Sequence, residues 1–110
     1  MKKLILTAFF LAFLLIGCSK EINYDQLENR GNTHYIIGSK KPYSGKAVIY
    51  YSTGEKKGIS TFVSGKLNGE AITFYKNGKL QSKSNFKDNL PSGSHISYDE
   101  NGNVLFEMEY

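Results

Sequence analysis

Six glycines of this chain fall into two series of identical spacing. Gly45, Gly69 and Gly93 lie 24 residues apart, and so do Gly54, Gly78 and Gly102. Eleven of the 110 residues are glycine, so four further coincidences after a first pair have odds on the order of one in ten thousand. Chance does not account for them. The columns between agree: Val48, Ile72 and Ile96; Tyr50, Phe74 and Tyr98; Tyr51 with Tyr75; Ala47 with Ala71; Ser60 with Ser84; Phe62, Phe86 and Tyr110. A 24-residue unit is too short to bury a core alone, so its copies must stack on one another. The copies run at about 45–68, 69–92 and 93–110.

Each copy reads as a β-hairpin. Asn77-Gly78 and Asn101-Gly102, with Thr53-Gly54 as a weaker version, look like two-residue turns with positive φ at both central positions. The flanking segments alternate, which puts Val48, Tyr50, Ile72 and Phe74 on one face and Ala47, Ile49, Tyr51, Ala71, Thr73 and Tyr75 on the other. The expected fold is all-β, an antiparallel meander of repeated β-hairpins after an N-terminal signal segment, with Phe74 facing the core. Ser64 to Asn68 and Asp88 to Ser92 have the composition of the connections between hairpins. Glu107 and Glu109 point off the last strand, where charge discourages edge-to-edge pairing. Upstream, Arg30-Gly31-Asn32 looks like a turn and Tyr35 to Ile37 a strand, a degenerate repeat preceded by a short tether from Ser19 to Asn23.

The first seventeen residues belong to no repeat. Lys2 and Lys3 precede thirteen residues, Leu4 to Ile16, whose one polar member is Thr7. That is the length of a signal-peptide apolar region and short of the roughly 20 residues of a spanning helix. Leu15-Ile16-Gly17-Cys18 then resembles the bacterial lipobox, which implies cleavage before Cys18 and diacylation of its sulfur. Two or three acyl chains give lasting attachment where one does not. The expected organisation is a signal peptide at 1–17, a lipidated N-terminus and tether with a degenerate strand at 18–32, and the repeat domain at 33–110. The location is the cell membrane or outer membrane, lipid-anchored and facing the periplasm or exterior.

Composition narrows the chemistry. Removing Lys2 and Lys3 with the leader lowers the formal net charge from +4 to +2, which does not mark a nucleic-acid binder. One cysteine excludes a disulfide framework. His34 and His95 have no second histidine or cysteine at ligand spacing, so no metal site is expected. Asp99-Glu100 and Glu107 with Glu109 are the nearest carboxylate groupings, and a single-layer meander offers them no cleft to work across. No serine stands in a Gly-x-Ser-x-Gly elbow, so no catalytic residue, cofactor or small-molecule substrate is expected. The lysines, including Lys40-Lys41 and Lys56-Lys57, are spread over both ends of the hairpins and read as solvated.

Gly69, Phe74, Tyr75, Asn77, Gly78, Phe86 and Gly93 together resemble the variant MORN repeat. Leu27 to Gly45, with Arg30-Gly31, Tyr35 and Pro42-Tyr43-Ser44-Gly45, is similar to the entry segment of small bacterial proteins of that family, many of them lipoproteins and some labelled antitoxin-like. The chain departs from the common form in lacking Trp, in Thr53 where Asn is usual, and in Asp99 where a second aromatic is usual. The resemblance implies a protein-binding or envelope scaffold module rather than an enzyme, with an antitoxin-like role as a family-level implication. The alternative is an enzyme or enzyme subunit acting on envelope lipids. A partner would be met at Tyr51, Tyr75 and Ile49, opposite Tyr50, Phe74 and Tyr98, because tyrosines on an open sheet face are rigid, amphipathic contact residues. The other reading of those tyrosines is that the segment around Tyr24 and Leu27 folds over them.

Overall fold

The computed structural model describes residues 20–110. The leader and Cys18 lie outside the described residues. Among the described residues nine strands form: β1 (Glu21–Asn23), β2 (Leu27–Arg30), β3 (Thr33–Ile36), β4 (Gly45–Tyr50), β5 (Lys56–Val63), β6 (Lys66–Phe74), β7 (Leu80–Lys87), β8 (Leu90–Tyr98) and β9 (Val104–Glu109). Seven of them make one sheet in the order β1-β4-β5-β6-β7-β8-β9, and β2 pairs with β3 separately. From β4 to β9 every neighbour is antiparallel, as the hairpin reading requires. None of the described residues forms a helix long and apolar enough to cross a membrane.

The two kinds of turn are exchanged relative to expectation. Gly54, Gly78 and Gly102 all have positive φ, at 103°, 87° and 89°, but Thr53, Asn77 and Asn101 do not. The Gly54, Gly78 and Gly102 N–H groups donate to the carbonyls of Tyr51, Tyr75 and Asp99, three residues back. These are three-residue loops, a β-turn closed by one left-handed glycine, and the register shifts beside each. The two-residue turns with both φ positive are instead Gly31-Asn32, Ser64-Gly65 and Asp88-Asn89. They join β2 to β3, β5 to β6 and β7 to β8, because the twist of a primed turn matches that of the strands it closes. Asn and Asp visit the left-handed region at low cost, which is why Asp88-Asn89 can serve without a glycine.

Glu21 to Asn23 is a strand rather than a tether, running parallel to β4 from Lys46 to Val48. A single 3-10 turn, Tyr24–Gln26, then reverses the chain, capped by Asn23, whose side chain accepts from the Asp25 N–H while Gln26 reaches back to the Asn23 N–H. The β2–β3 hairpin that follows spans the Gly31-Asn32 turn and is tied to the meander by backbone bonds. His34 N donates to Gly65 O, Gly65 N to Tyr43 O, and Tyr43 N to His34 O, at 2.7–2.9 Å. Asn89 Nδ2 adds a bond to Asn32 O at 2.9 Å.

This hairpin decides where the core lies. Leu27, Tyr43, Ala47 and Phe62 are buried together, with Ile22, Tyr24, Ile36 and Leu67 packed against them. The Phe62 ring sits 4.8 Å from His34 and 6.2 Å from Tyr43, centroid to centroid. The repeat column containing Phe62 then loses burial in steps: Phe62 is 2% exposed, Phe86 half-buried and Tyr110 62% exposed. Identical positions differ because the covering hairpin reaches the first alone. Phe74, the expected core residue, is half-buried. Val48, Ile72 and Ile96 do share a face, in the cross-strand row Val48, Ile59, Ile72, Lys83, Ile96, Glu107, but the lysine interrupts it.

Candidate functional site

The three-residue loops line one edge of the sheet, and the tyrosines chosen as contact residues brace it. Tyr51 Oη donates to Phe74 O and Tyr75 Oη to Tyr98 O, each at 2.6 Å. Each phenol thus spans from the loop of its own hairpin to the corresponding strand end of the next. Phe74 and Tyr98 are themselves one repeat apart, so the bond recurs because the sequence does. Replacing either tyrosine by Phe removes one such bond and should lower unfolding free energy by about 1 kcal/mol in a denaturant titration.

At the third loop Asp99 stands in the tyrosine position and bonds locally. Its Oδ1 accepts from the backbone N–H of Asn101 and Asn103 at 2.9 Å, and Oδ2 from Asn103 Nδ2 at 3.3 Å. The Asn103 backbone bond foremost, with the Asn103 side chain and the Asn101 and Gly102 amides, holds the Asp99 carboxyl below its ordinary 3.8, although some desolvation opposes this. A lowered folded pKa contributes stability above the ordinary range that is lost as pH falls through the folded value. The Asn101 and Asn103 amide resonances should therefore titrate with a midpoint below 3.8. A midpoint at or above that value would contradict the carboxylate cap.

The Tyr51 ring has two ammonium neighbours, Lys57 Nζ at 5.7 Å and Lys76 Nζ at 5.6 Å from its centroid. Both lie within cation–π range. Beside it a hollow of about 370 Å³ is lined by Glu55, Lys56, Phe74, Lys76, Asn77 and Gly78. Glu55 is pulled below the usual carboxylate range, first by the Thr53 hydroxyl, then by a backbone N–H and by Lys76, against partial desolvation. Ile49, 38% exposed, shares the Tyr51 face of β4, and Tyr50, 43% exposed, lies on the opposite face. The segment around Tyr24 and Leu27 packs on Phe62 and Tyr43. Tyr51 and Tyr75 stay half-buried with their hydroxyls committed, and the Tyr51 ring lies beside two lysines. Such an edge can grip a protein surface through ring faces and ammonium groups.

The histidines occupy two other places. His34 packs against Phe62 of the core cluster, Nε2 3.4 Å from Tyr24 Oη and Nδ1 buried without a partner. His95 lies on the open sheet, Nδ1 2.6 Å from Ser84 Oγ and Nε2 3.1 Å from Ser97 Oγ. Sequence reasoning missed that hydroxyl row, although Ser84 falls in a repeat column with Ser60. No carboxylate orients the imidazole in it, and Ser97 occupies the nitrogen where a catalytic triad would place one. Among the described residues no group of three His, Cys, Asp or Glu side chains is placed to hold a metal ion.

Residues 67–88 and 91–110 match the family described as MORN repeat variant. Each matched segment starts two residues before a repeat glycine, Gly69 or Gly93, so family and register agree. No curated protein and no solved structure matches the chain.

Proposed function

We propose that this chain, a MORN-repeat protein by its two variant repeats, is a lipid-anchored module that binds a protein partner at the cell envelope. The observation that carries the reading is the braced loop edge, where repeated Tyr-to-carbonyl bonds hold two aromatic rings in fixed positions, one of them, Tyr51, beside two lysines. Rings fixed before binding lose little side-chain freedom on contact. The anchor is Cys18, which puts the module on the cell membrane or outer membrane, facing the periplasm or exterior. Lys20, two residues further on, lines a hollow of about 310 Å³ with Lys41, Pro42 and Tyr43. Lysines so near an acylated residue favour an anionic membrane surface by about 1 kcal/mol each. An antitoxin-like role is the narrower form of the same reading, in which the captured partner is a harmful protein held inactive.

Two experiments test it. Cys18→Ser should abolish acyl labelling and leave an unprocessed precursor, whereas labelling and processing identical to the parent would end the anchor reading. A pull-down of the acylated chain from solubilised membranes should return a stoichiometric protein partner. Turnover of an envelope lipid by the purified protein alone would favour the enzyme alternative instead.

A further inference from the structure

Strand β9 is paired with β8 on one side, and its other edge is open among the described residues. It is also the most exposed strand of the sheet: Val104, Leu105, Phe106 and Met108 are all exposed, Leu105 at 64% and Phe106 at 51%. Register with β8 sorts its side chains. Phe106 and Met108 stand beside Ser97 and His95 on one face, and Glu107 is opposite Ile96 on the other, with Glu109 opposite Ser94. An open edge with apolar side chains on one face is a template for a further strand.

The charges select which strand. Glu107 and Glu109 occupy the repeat positions of Lys83 and Asn85 one unit earlier. There, Lys83 crosses to the neighbouring strand and pairs with Glu70 at 3.3 Å. In β9 the sign is reversed, and neither glutamate has an ion-pair partner among the described residues. A two-fold antiparallel pair of β9 copies centred on Glu107 sets glutamate against glutamate, one centred on Met108 sets Glu107 against Glu109 twice, and one centred on Phe106 keeps the glutamates apart but sets Glu107 against Leu105 and Glu109 against Asn103, so no register of these supplies a counter-charge. The same carboxylates attract a strand bearing cations at alternate positions.

We propose that β9 docks an extended segment of a protein partner, antiparallel like the strands before it, with apolar side chains on the Phe106 and Met108 face and Lys or Arg on the Glu107 and Glu109 face. This deepens the protein-binding reading and rests on it. It uses a different edge of the sheet, so either can fail alone.

The test is a titration of the purified full chain with a synthetic ten-residue peptide of alternating Val and Lys, followed by hydrogen exchange over residues 104–110. Binding should slow exchange of the β9 amides, and Glu107→Gln with Glu109→Gln should weaken it by roughly three- to tenfold, the effect of two exposed charge pairs. The corresponding Val and Glu peptide, and the Val and Lys peptide N-methylated on alternate amides, should not bind. Equal binding of the Val and Glu peptide, no binding of the Val and Lys peptide, β9 amides left unprotected, or self-association of the free chain through β9 would each overturn the proposal. If the peptide fails while a partner is still captured through the Tyr51 and Tyr75 edge, the docking strand is lost and the protein-binding reading stands.

Discussion

Phe62→Ala should lower unfolding free energy by about 3–5 kcal/mol, a large share of the 5–15 kcal/mol a domain of this size has to lose. Phe62 is 2% exposed and fills the space between the sheet and the covering β2–β3 hairpin. Its truncation removes the contact shared by Tyr24, His34 and Tyr43 at once. The comparison that gives this force lies within the repeat itself. Phe86→Ala should cost less, and Tyr110→Ala should stay within about 0.5 kcal/mol, because exposed positions tolerate substitution. Equal losses at all three positions, measured by denaturant titration, would contradict a core confined to the covered end.

Gly65→Ala should be among the most damaging glycine substitutions, at about 2–4 kcal/mol. Gly65 has φ +83°, where an L side chain costs about 1–2 kcal/mol by itself. The added Cβ would also run into Thr33 Cγ2 and lie 2.9 Å from the His34 carbonyl. A β-branched side chain and a backbone atom cannot simply swing away. The bond from His34 N to Gly65 O, which fastens the hairpin, lies at the same point. Gly78→Ala is the control: its φ is +87° but its Cβ would enter open space, so the conformational cost stands alone. Hydrogen exchange should show residues 27–36 loosening in Gly65→Ala and unchanged in Gly78→Ala.

The meander was legible in the sequence because its two determinants are local and repeated. Glycine spacing set the left-handed positions, and alternation set the shared face of Val48, Ile72 and Ile96. Turn type was less legible, since Asn-Gly suits the two-residue turn and equally the last two places of a three-residue loop. The core was least legible. Phe62, Phe86 and Tyr110 look equivalent along the chain, and the non-repeating β2–β3 hairpin, through contacts distant in sequence, makes the first of them a core residue. That same hairpin left the repeat tyrosines partly open. The hydroxyl bonds of Tyr51 and Tyr75 reach from one repeat to the next, so no reading of a single hairpin contains them.

The central claim is that the braced loop edge meets a protein partner at the membrane. It is tested most directly by placing a photo-crosslinking amino acid at Ser52 or Lys76, both exposed on that edge, and at Val63, exposed at the opposite end of the hairpins. Illumination of cells carrying the acylated chain should give one discrete protein adduct from the Ser52 and Lys76 positions and little from Val63. Adducts of the same yield from all three positions, or none from the loop edge, would contradict the account.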